Sequence, residues 1–279
     1  MSSSGPIETI PLFPELSRRF VALLESLPLQ DWQRPVSAKW RVRDVVAHLL
    51  DGSLRRLSAQ RDRYGPQTAP PNEGYGALVD YLNALNADWV RAAERLSPRL
   101  LTELIRWSDE RLLALLSSLD PSGPALWPVT WAGETQSQNW FDIAREYTEK
   151  WHHAQQIYEA TGHKSTITDR ALMHPCLDTL MRGLPNGLRN CAAPESTTVR
   201  VQVTGEAGDD WWVQRRGGQW QLGTVDSAQA TVIMCQDDAW KVLMKRTSAT
   251  EARAKFPAIS VVGDQALGDA VLETVSVMA

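Results

Sequence analysis

A glutamate and a histidine four residues apart carry the strongest chemical signal in the sequence. Glu149 and His153 lie in the segment REYTEKWHHAQQI, and on a helix this spacing places both side chains on one face, one turn apart. A carboxylate and an imidazole so placed can bind one divalent metal ion. A histidine from a second helix, for which His48 in RVRDVVAHLLDG is the candidate, would add a third ligand. Three protein ligands with one open position are typical of catalytic zinc sites.

The same residues also permit simpler interpretations. On a helix over 139–161, Glu149 and His153 fall opposite the apolar face, and such a polar face is usually just solvated. His48 stands beside apolar residues, so it can be an ordinary core histidine. His152 is also a helical neighbour of Glu149, which leaves the choice of histidine open.

The bulk composition excludes several classes of protein. The chain has 279 residues, 43% of them hydrophobic and 22% charged, with a net charge of -4. Such a balance gives no basic field for nucleic acid or anionic membrane. The N-terminus lacks the pattern of a secretory signal, and no apolar run reaches the roughly 18 residues of a membrane span. We expect a cytoplasmic protein that binds neither nucleic acid nor membrane, as a monomer or homodimer.

Cysteine and tryptophan usage adds two further expectations. Cys176, Cys191 and Cys235 are odd in number and widely spaced, which argues against a disulfide framework or a cysteine zinc site and favours reduced thiols. The chain holds 12 tryptophans. They are either large core residues or, in part, the wall of a pocket for a thiol or an aromatic ligand.

Hydrophobic periodicity predicts a mainly α protein with a small α+β domain at its C-terminus. Apolar residues at three-and-four spacing predict helices over 12–27, 41–64, 75–96, 98–119, 139–161 and 168–183. Beyond Pro194 the pattern changes to alternation in TTVRVQVTG, a hairpin signal around Gly217 and Gly218, and a third strand in ATVIMCQ. The segments DDAWKVLMKR and QALGDAVLETVSVM predict helices, with a strand or turn at ISVVGD. We therefore expect a helical domain over 1–190 and an α+β domain over 195–279.

Two sequence blocks resemble the DinB-like bundle family, and specifically its mycothiol-dependent maleylpyruvate isomerase branch. The first block is DW at 31–32 followed by WRVRDVVAHL at 40–49. The second is REY at 145–147, then the pattern E-x-W-x-H-x-x-x-I over 149–157, and it ends with ATG at 160–162. The resemblance implies a four-helix bundle with extra helices and a sterol-carrier-like C-terminal domain, whose closing segment ISVVGDQALGDAVLETVSVMA also fits. It implies His48, Glu149 and His153 as the metal ligands. Many relatives carry an aspartate three residues after the last ligand, where this chain has Gln156, which changes the charge near the metal.

The resemblance also implies an activity. The open metal position is expected to serve the thiol of mycothiol or an analogue, because a metal of this type, most simply zinc, ionises a bound thiol. The thiolate then adds to an electrophilic carbon, as in an isomerase or a thiol S-transferase. An acidic substrate needs a cation. Arg246 is the candidate implied by the family, and Arg215 and Arg216 compete with it.

Two other functions stay open at this point. The chain can be a non-catalytic metal-binding or ligand-binding protein, in which His152 or Glu146 supplies a fourth ligand to a structural metal. It can also be a metallohydrolase that uses metal-bound water, with Glu146 as the base.

Overall fold

The structure is a computed structural model, and it describes residues 5–65, 75–223, 225, 227–244 and 248–276. The chain divides into two compact units. The helical unit comprises Thr9–Pro121 and Glu146–Ile167, and the sheet unit comprises Met1–Glu8, Ser122–Arg145 and Thr168–Ala279. The predicted boundary between 190 and 195 stays a prediction.

Long amphipathic helices make up the helical unit. They are α1 (Phe13–Ser26), α2 (Val42–Arg56), α3 (Tyr75–Ala93), α4 (Pro98–Ser117) and the second part of α5 (Asn139–Thr161). A single π-helical turn, Leu57–Arg61, continues α2. Helix α2 packs against α3 and α4, and α4 also packs against α1. The apolar faces meet in a core that includes Leu16, Phe20, Val46, Leu50 and Ile105, each fully buried. Burying such side chains contributes about 1.5–3 kcal/mol each.

A five-stranded sheet forms the centre of the sheet unit. Its strands are β1 (Thr198–Thr204), β2 (Asp210–Arg216), β3 (Gln219–Gly223), β4 (Ala230–Cys235) and β5 (Ser260–Gly263). Their order is β3-β2-β1-β4-β5, with β1 and β4 parallel and the other neighbours antiparallel. The helices of this unit are the first part of α5, α6 (Arg170–Met181), α7 (Leu184–Gly187), α8 (Gln236–Met244), α9 (Ala249–Lys255) and α10 (Gln265–Leu272).

Both parts of the predicted fold class are confirmed. The chain is mainly helical, and its C-terminal part carries a small sheet with helices. The hairpin turn falls at Gly217 and Gly218, whose φ angles of 59° and 75° suit glycine. The short helices α7 and α9 were not predicted, since neither is long enough to give a periodic signal. Across the described residues, no helix combines the length and apolar character needed to cross a membrane.

Candidate metal centre

His48 lies on α2, which is fixed in place by contacts at its first turn and along its side. The Asp44 carboxylate accepts a hydrogen bond from the backbone N–H of Arg41 at 2.9 Å and a second from its guanidinium at 3.0 Å. An aspartate at this position satisfies donors that the helix leaves unpaired and suits the positive end of the helix dipole. Trp89 of α3 donates its indole N–H to the carbonyl of Ala47 at 2.9 Å, which fixes the backbone beside His48.

Glu149 and His153 lie on α5, which is fixed in place by buried polar contacts of the neighbouring residues Lys150 and Trp151. The Lys150 ammonium lies 2.6 Å from both carboxylate oxygens of Asp109 on α4. Trp151, fully buried, donates its indole N–H to the carbonyl of Ile167 at 2.7 Å. Lys150 and Trp151 are adjacent and project about 100° apart around the helix, so the two contacts together restrict its rotation. Glu149 then lies 3.1 Å from His48 on α2.

The three predicted ligands meet in one cluster inside the helical unit. His48 Nε2 and His153 Nε2 each lie 3.1 Å from the same carboxylate oxygen of Glu149. The ligand atoms of the three residues all lie within 4.8 Å of one another. His153 is 8% exposed and the His48 side chain is 13% exposed, whereas the Glu149 side chain is 33% exposed. The solvated-face interpretation is therefore wrong for His153, because this part of α5 faces another helix.

The cluster strongly perturbs the ionisation of its members. Burial alone would raise the pKa of Glu149, but the charges and hydrogen bonds of His153 and His48 outweigh it and hold that pKa well below its usual range. Burial would lower the pKa of His153, but the Glu149 carboxylate and the hydrogen bond of Gln156 raise it above its ordinary value. The site thus stabilises positive charge between the two rings, which is the charge that a metal ion supplies.

The donor set fits a divalent cation. Four-coordinate zinc with bonds of about 2.0–2.2 Å places neighbouring ligand atoms about 3.3–3.6 Å apart, slightly farther apart than the two separations of 3.1 Å seen here. His153 Nδ1 contacts the side-chain oxygen of Gln156 at 2.8 Å. With the hydrogen on Nδ1, the Nε2 lone pair is free to bind a metal. His48 Nδ1 is buried and has no hydrogen-bond partner among the described residues, so one histidine of the pair lacks this support.

Trp40 covers the histidine side of the cluster. Its ring centroid lies 4.8 Å from that of His48 and 6.3 Å from that of His153. The backbone N–H groups of Val36 and Ser37 both donate to the Trp40 carbonyl, at 2.8 and 3.1 Å, which closes the loop before α2. Trp40 is half-buried, its backbone is held by these two hydrogen bonds, and its ring lies against both imidazole rings.

A buried arginine lies two turns along α2 from His48. Arg56 is fully buried, and its Nη1 lies 3.3 Å from a carboxylate oxygen of Glu146 on α5. Gly52 stands between His48 and Arg56 on this side of α2, and a Cβ added there would meet no atom within 4 Å. The absence of a side chain at Gly52 leaves space along the helix between the cluster and the ion pair.

The structure places the other predicted site residues as follows. Within the described residues, neither Glu146 nor His152 belongs to the group of metal-ligating atoms. Glu146 instead pairs with Arg56, and His152 is buried with its ring centroid 4.7 Å from that of His153. Arg246 lies outside the described residues.

The two competing arginines lie on β2 in the sheet unit. Arg215 donates to the carbonyl of Cys191 at 3.4 Å and lies over the ring of Trp220. Arg216 donates to the side chain of Gln214. Their role as substrate-binding cations stays a prediction, as does that of Arg246.

Sequence reasoning named Trp40 only as one of many tryptophans and as part of the WRVRDVVAHL block, and it did not name Arg56. Arg56 had a usable signal, since its spacing of eight residues from His48 places both on one side of a helix. Trp40 had a weaker one, because it belongs to the WRVRDVVAHL block but stands on a loop with no periodicity.

Comparison with known proteins agrees with this architecture. The solved structures similar to this chain include the crystal structure of a mycothiol-dependent maleylpyruvate isomerase, with a TM-score of 0.54 and 13% identity. They also include a histidine-to-alanine mutant of that enzyme, with a TM-score of 0.52 and 12% identity. Each match covers 84% of this chain and 87% of the other. At this identity the likeness establishes the fold alone. No curated protein sequence matches the chain.

The family comparison covers the residues that build the cluster. The family model described as the mycothiol maleylpyruvate isomerase N-terminal domain matches residues 13–158, a span that contains His48, Glu149 and His153. This match extends over more than half of the 279 residues. The chain therefore belongs to the mycothiol maleylpyruvate isomerase N-terminal domain family.

Proposed function

We propose that this chain is a metal-dependent enzyme that uses a low-molecular-weight thiol of the mycothiol type, as an isomerase or a thiol S-transferase. The observation that carries the proposal is the convergence of His48 and His153 on one oxygen of Glu149. Two imidazoles and one carboxylate form a three-ligand set, whereas a structural zinc usually has four protein ligands. Catalytic zinc sites use two histidines and one glutamate in this way, and zinc is the ion of this proposal.

Each surrounding residue has a task in this proposal. His48, Glu149 and His153 would hold the ion, and Gln156 would keep the His153 ring turned so that Nε2 faces it. The ion would supply Lewis acidity that keeps a bound thiol ionised near neutral pH. Trp40 would shield the two rings from water, which strengthens electrostatic interactions at the site.

Two observations favour this proposal over the hydrolase and the structural-metal alternatives. The Glu146 carboxylate contacts the buried guanidinium of Arg56 at 3.3 Å, so it is engaged away from the role of a base at the ion. His152 stands outside the group of ligand atoms in the described part of the chain. Three ligands with an open position are what a thiol-using enzyme needs.

The test is a thiol-dependent assay on metal-loaded protein. We expect conversion of maleylpyruvate, the compound in the similar enzyme's name, or transfer of the thiol to another electrophile, only when mycothiol or an analogue is present. In an isomerase the thiol is recovered unchanged, and in a transferase it is consumed. Turnover of an ester or amide without any thiol, abolished by Glu146→Gln, would instead support the hydrolase.

A further inference from the structure

A cavity of the helical unit, open to solvent, lies outside the metal cluster. It has a volume of about 410 Å³ and lies between the second half of α1 and the segment that follows α5. None of His48, Glu149 and His153 lines it. Its volume falls within the roughly 300–1,000 Å³ of typical small-molecule sites.

The lining of this cavity is cationic in a chain whose net charge is -4. Arg18, Arg19 and Lys164 line it together with His163, and the described lining contains no acidic residue. Placing three permanent cations around one space costs free energy through mutual repulsion unless negative charge approaches.

One neighbouring carboxylate offsets part of this charge. Glu15 accepts hydrogen bonds from Arg18 at 2.7 Å and from Arg19 at 2.6 Å. The Arg18 hydrogen bond and then the Arg19 hydrogen bond lower the pKa of Glu15 to about 2, so it is ionised at neutral pH. A single carboxylate therefore serves both guanidinium groups, and it lies outside the lining. Lys164 has no ion-pair partner within the described ranges.

The walls also present polar atoms suited to a ligand. His163, a half-buried residue, lines the cavity, and its Nδ1 makes no hydrogen bond with any residue that the structure describes. Tyr158 and Thr166, whose hydroxyl groups are 2.8 Å apart, also line the cavity. Ala22 and Leu23 add apolar residues to the lining.

We propose that this cavity binds a small organic anion, whose carboxylate or phosphate group is held by Arg18, Lys164 and His163. The apolar side of the cavity would contact the carbon skeleton of the ligand. Binding at this site is separate from the proposed thiol chemistry and does not depend on it.

The experiment is a titration of the full chain with two probes, inorganic phosphate and succinate, at constant ionic strength. Binding is followed by calorimetry and by the NMR signal of the His163 ring. We expect saturable binding of at least one probe, with a shift of the His163 signal. The probe that binds more tightly identifies the anionic group as phosphate or carboxylate.

Two double variants make the result specific. Arg18→Gln with Lys164→Gln should weaken binding by at least about tenfold, since charge-assisted hydrogen bonds are lost. Arg91→Gln with Arg99→Gln removes the same charge from exposed arginines on α3 and α4 and should leave affinity unchanged. Circular dichroism checks that both variants are folded. Absence of saturable binding in the wild type, or equal affinity in wild type and the cavity variant, would overturn the proposal.

Discussion

His48 on α2 lies 3.1 Å from Glu149 on α5, although 101 residues separate them in the chain. The contact joins two helices whose positions are set by Asp44 and Trp89 on one side and by Lys150 and Trp151 on the other. Removing any of these supports should therefore act on the cluster as well as on stability.

The metal-free cluster should make stability depend on pH. The pKa of His153 is raised in the fold, so its contribution is complete below about 6.5 and is lost as the pH rises through the folded value. The pKa of Glu149 is lowered, so its contribution is complete above about 4.5 and is lost as the pH falls through the folded value. The pair should stabilise the metal-free fold most between these limits.

Urea unfolding in the presence of a chelator checks this dependence. We expect His153→Gln to reduce the free energy of unfolding more at pH 6 than at pH 9, relative to the wild type. His174→Gln, in the sheet unit, is the matched control for any general effect of losing a histidine. A difference between wild type and His153→Gln that does not change with pH would contradict the described ion pair.

Gln156 should tune metal affinity without binding the metal. Gln156→Ala removes the acceptor of the His153 Nδ1 hydrogen bond and should weaken zinc binding by about 10–100-fold. Gln156→Glu keeps an acceptor of the same reach and should restore affinity. Gln155→Ala, next in sequence and bonded to Ser165, is the control and should bind zinc as the wild type does. Competition with a chromophoric chelator gives these affinities.

Most of the helices could be predicted from local sequence. Where a predicted helix bound was wrong, the cause is local. Helix α5 has the predicted bounds because Gly162, at a φ of 72°, ends it. The predicted helix over 41–64 is too long, since α2 ends at Arg56 and a π-helical turn follows. The apolar Leu57 continues the periodicity there, and periodicity cannot report a change in hydrogen-bond pattern.

The long-range part of the site could not be predicted from periodicity. Spacing alone places Glu149 beside His153, but no periodic rule places His48 against them. His48 is a candidate from its residue type, and the family resemblance supplies the expectation that it joins the other two. The resemblance also supplies Arg246, whose role stays untested. Trp40 lies on a loop, where side-chain direction depends on tertiary contacts.

Replacing only one partner of the buried ion pair between Lys150 and Asp109 should strongly reduce the free energy of unfolding. Both side chains are only 9% exposed, so Lys150→Met leaves an unpaired buried carboxylate and should cost about 3–5 kcal/mol. The double variant Lys150→Met with Asp109→Leu should recover most of that loss, because no charge stays buried. Chemical unfolding of both single variants and the double variant measures the coupling. Additive losses in the double variant would mean that the pair does not interact as described.

Trp40 should report metal binding through its fluorescence. Its ring lies 4.8 Å from that of His48, so a paramagnetic ion such as Co²⁺ at the cluster should quench it. Trp40→Phe should remove most of the quenching, whereas Trp107→Phe, an exposed tryptophan on α4, should not. Equal quenching in wild type and Trp40→Phe would place the ion elsewhere.

The most direct test is the zinc stoichiometry of purified protein, measured by elemental analysis after dialysis against a zinc buffer. The wild type and His174→Ala should each retain one zinc ion per chain, and His48→Ala and His153→Ala should retain almost none. His174 makes a suitable control because it bonds the carbonyl of Ala207 in the sheet unit. Equal zinc content in the wild type and in His48→Ala would contradict the proposal that α2 and α5 together hold the metal.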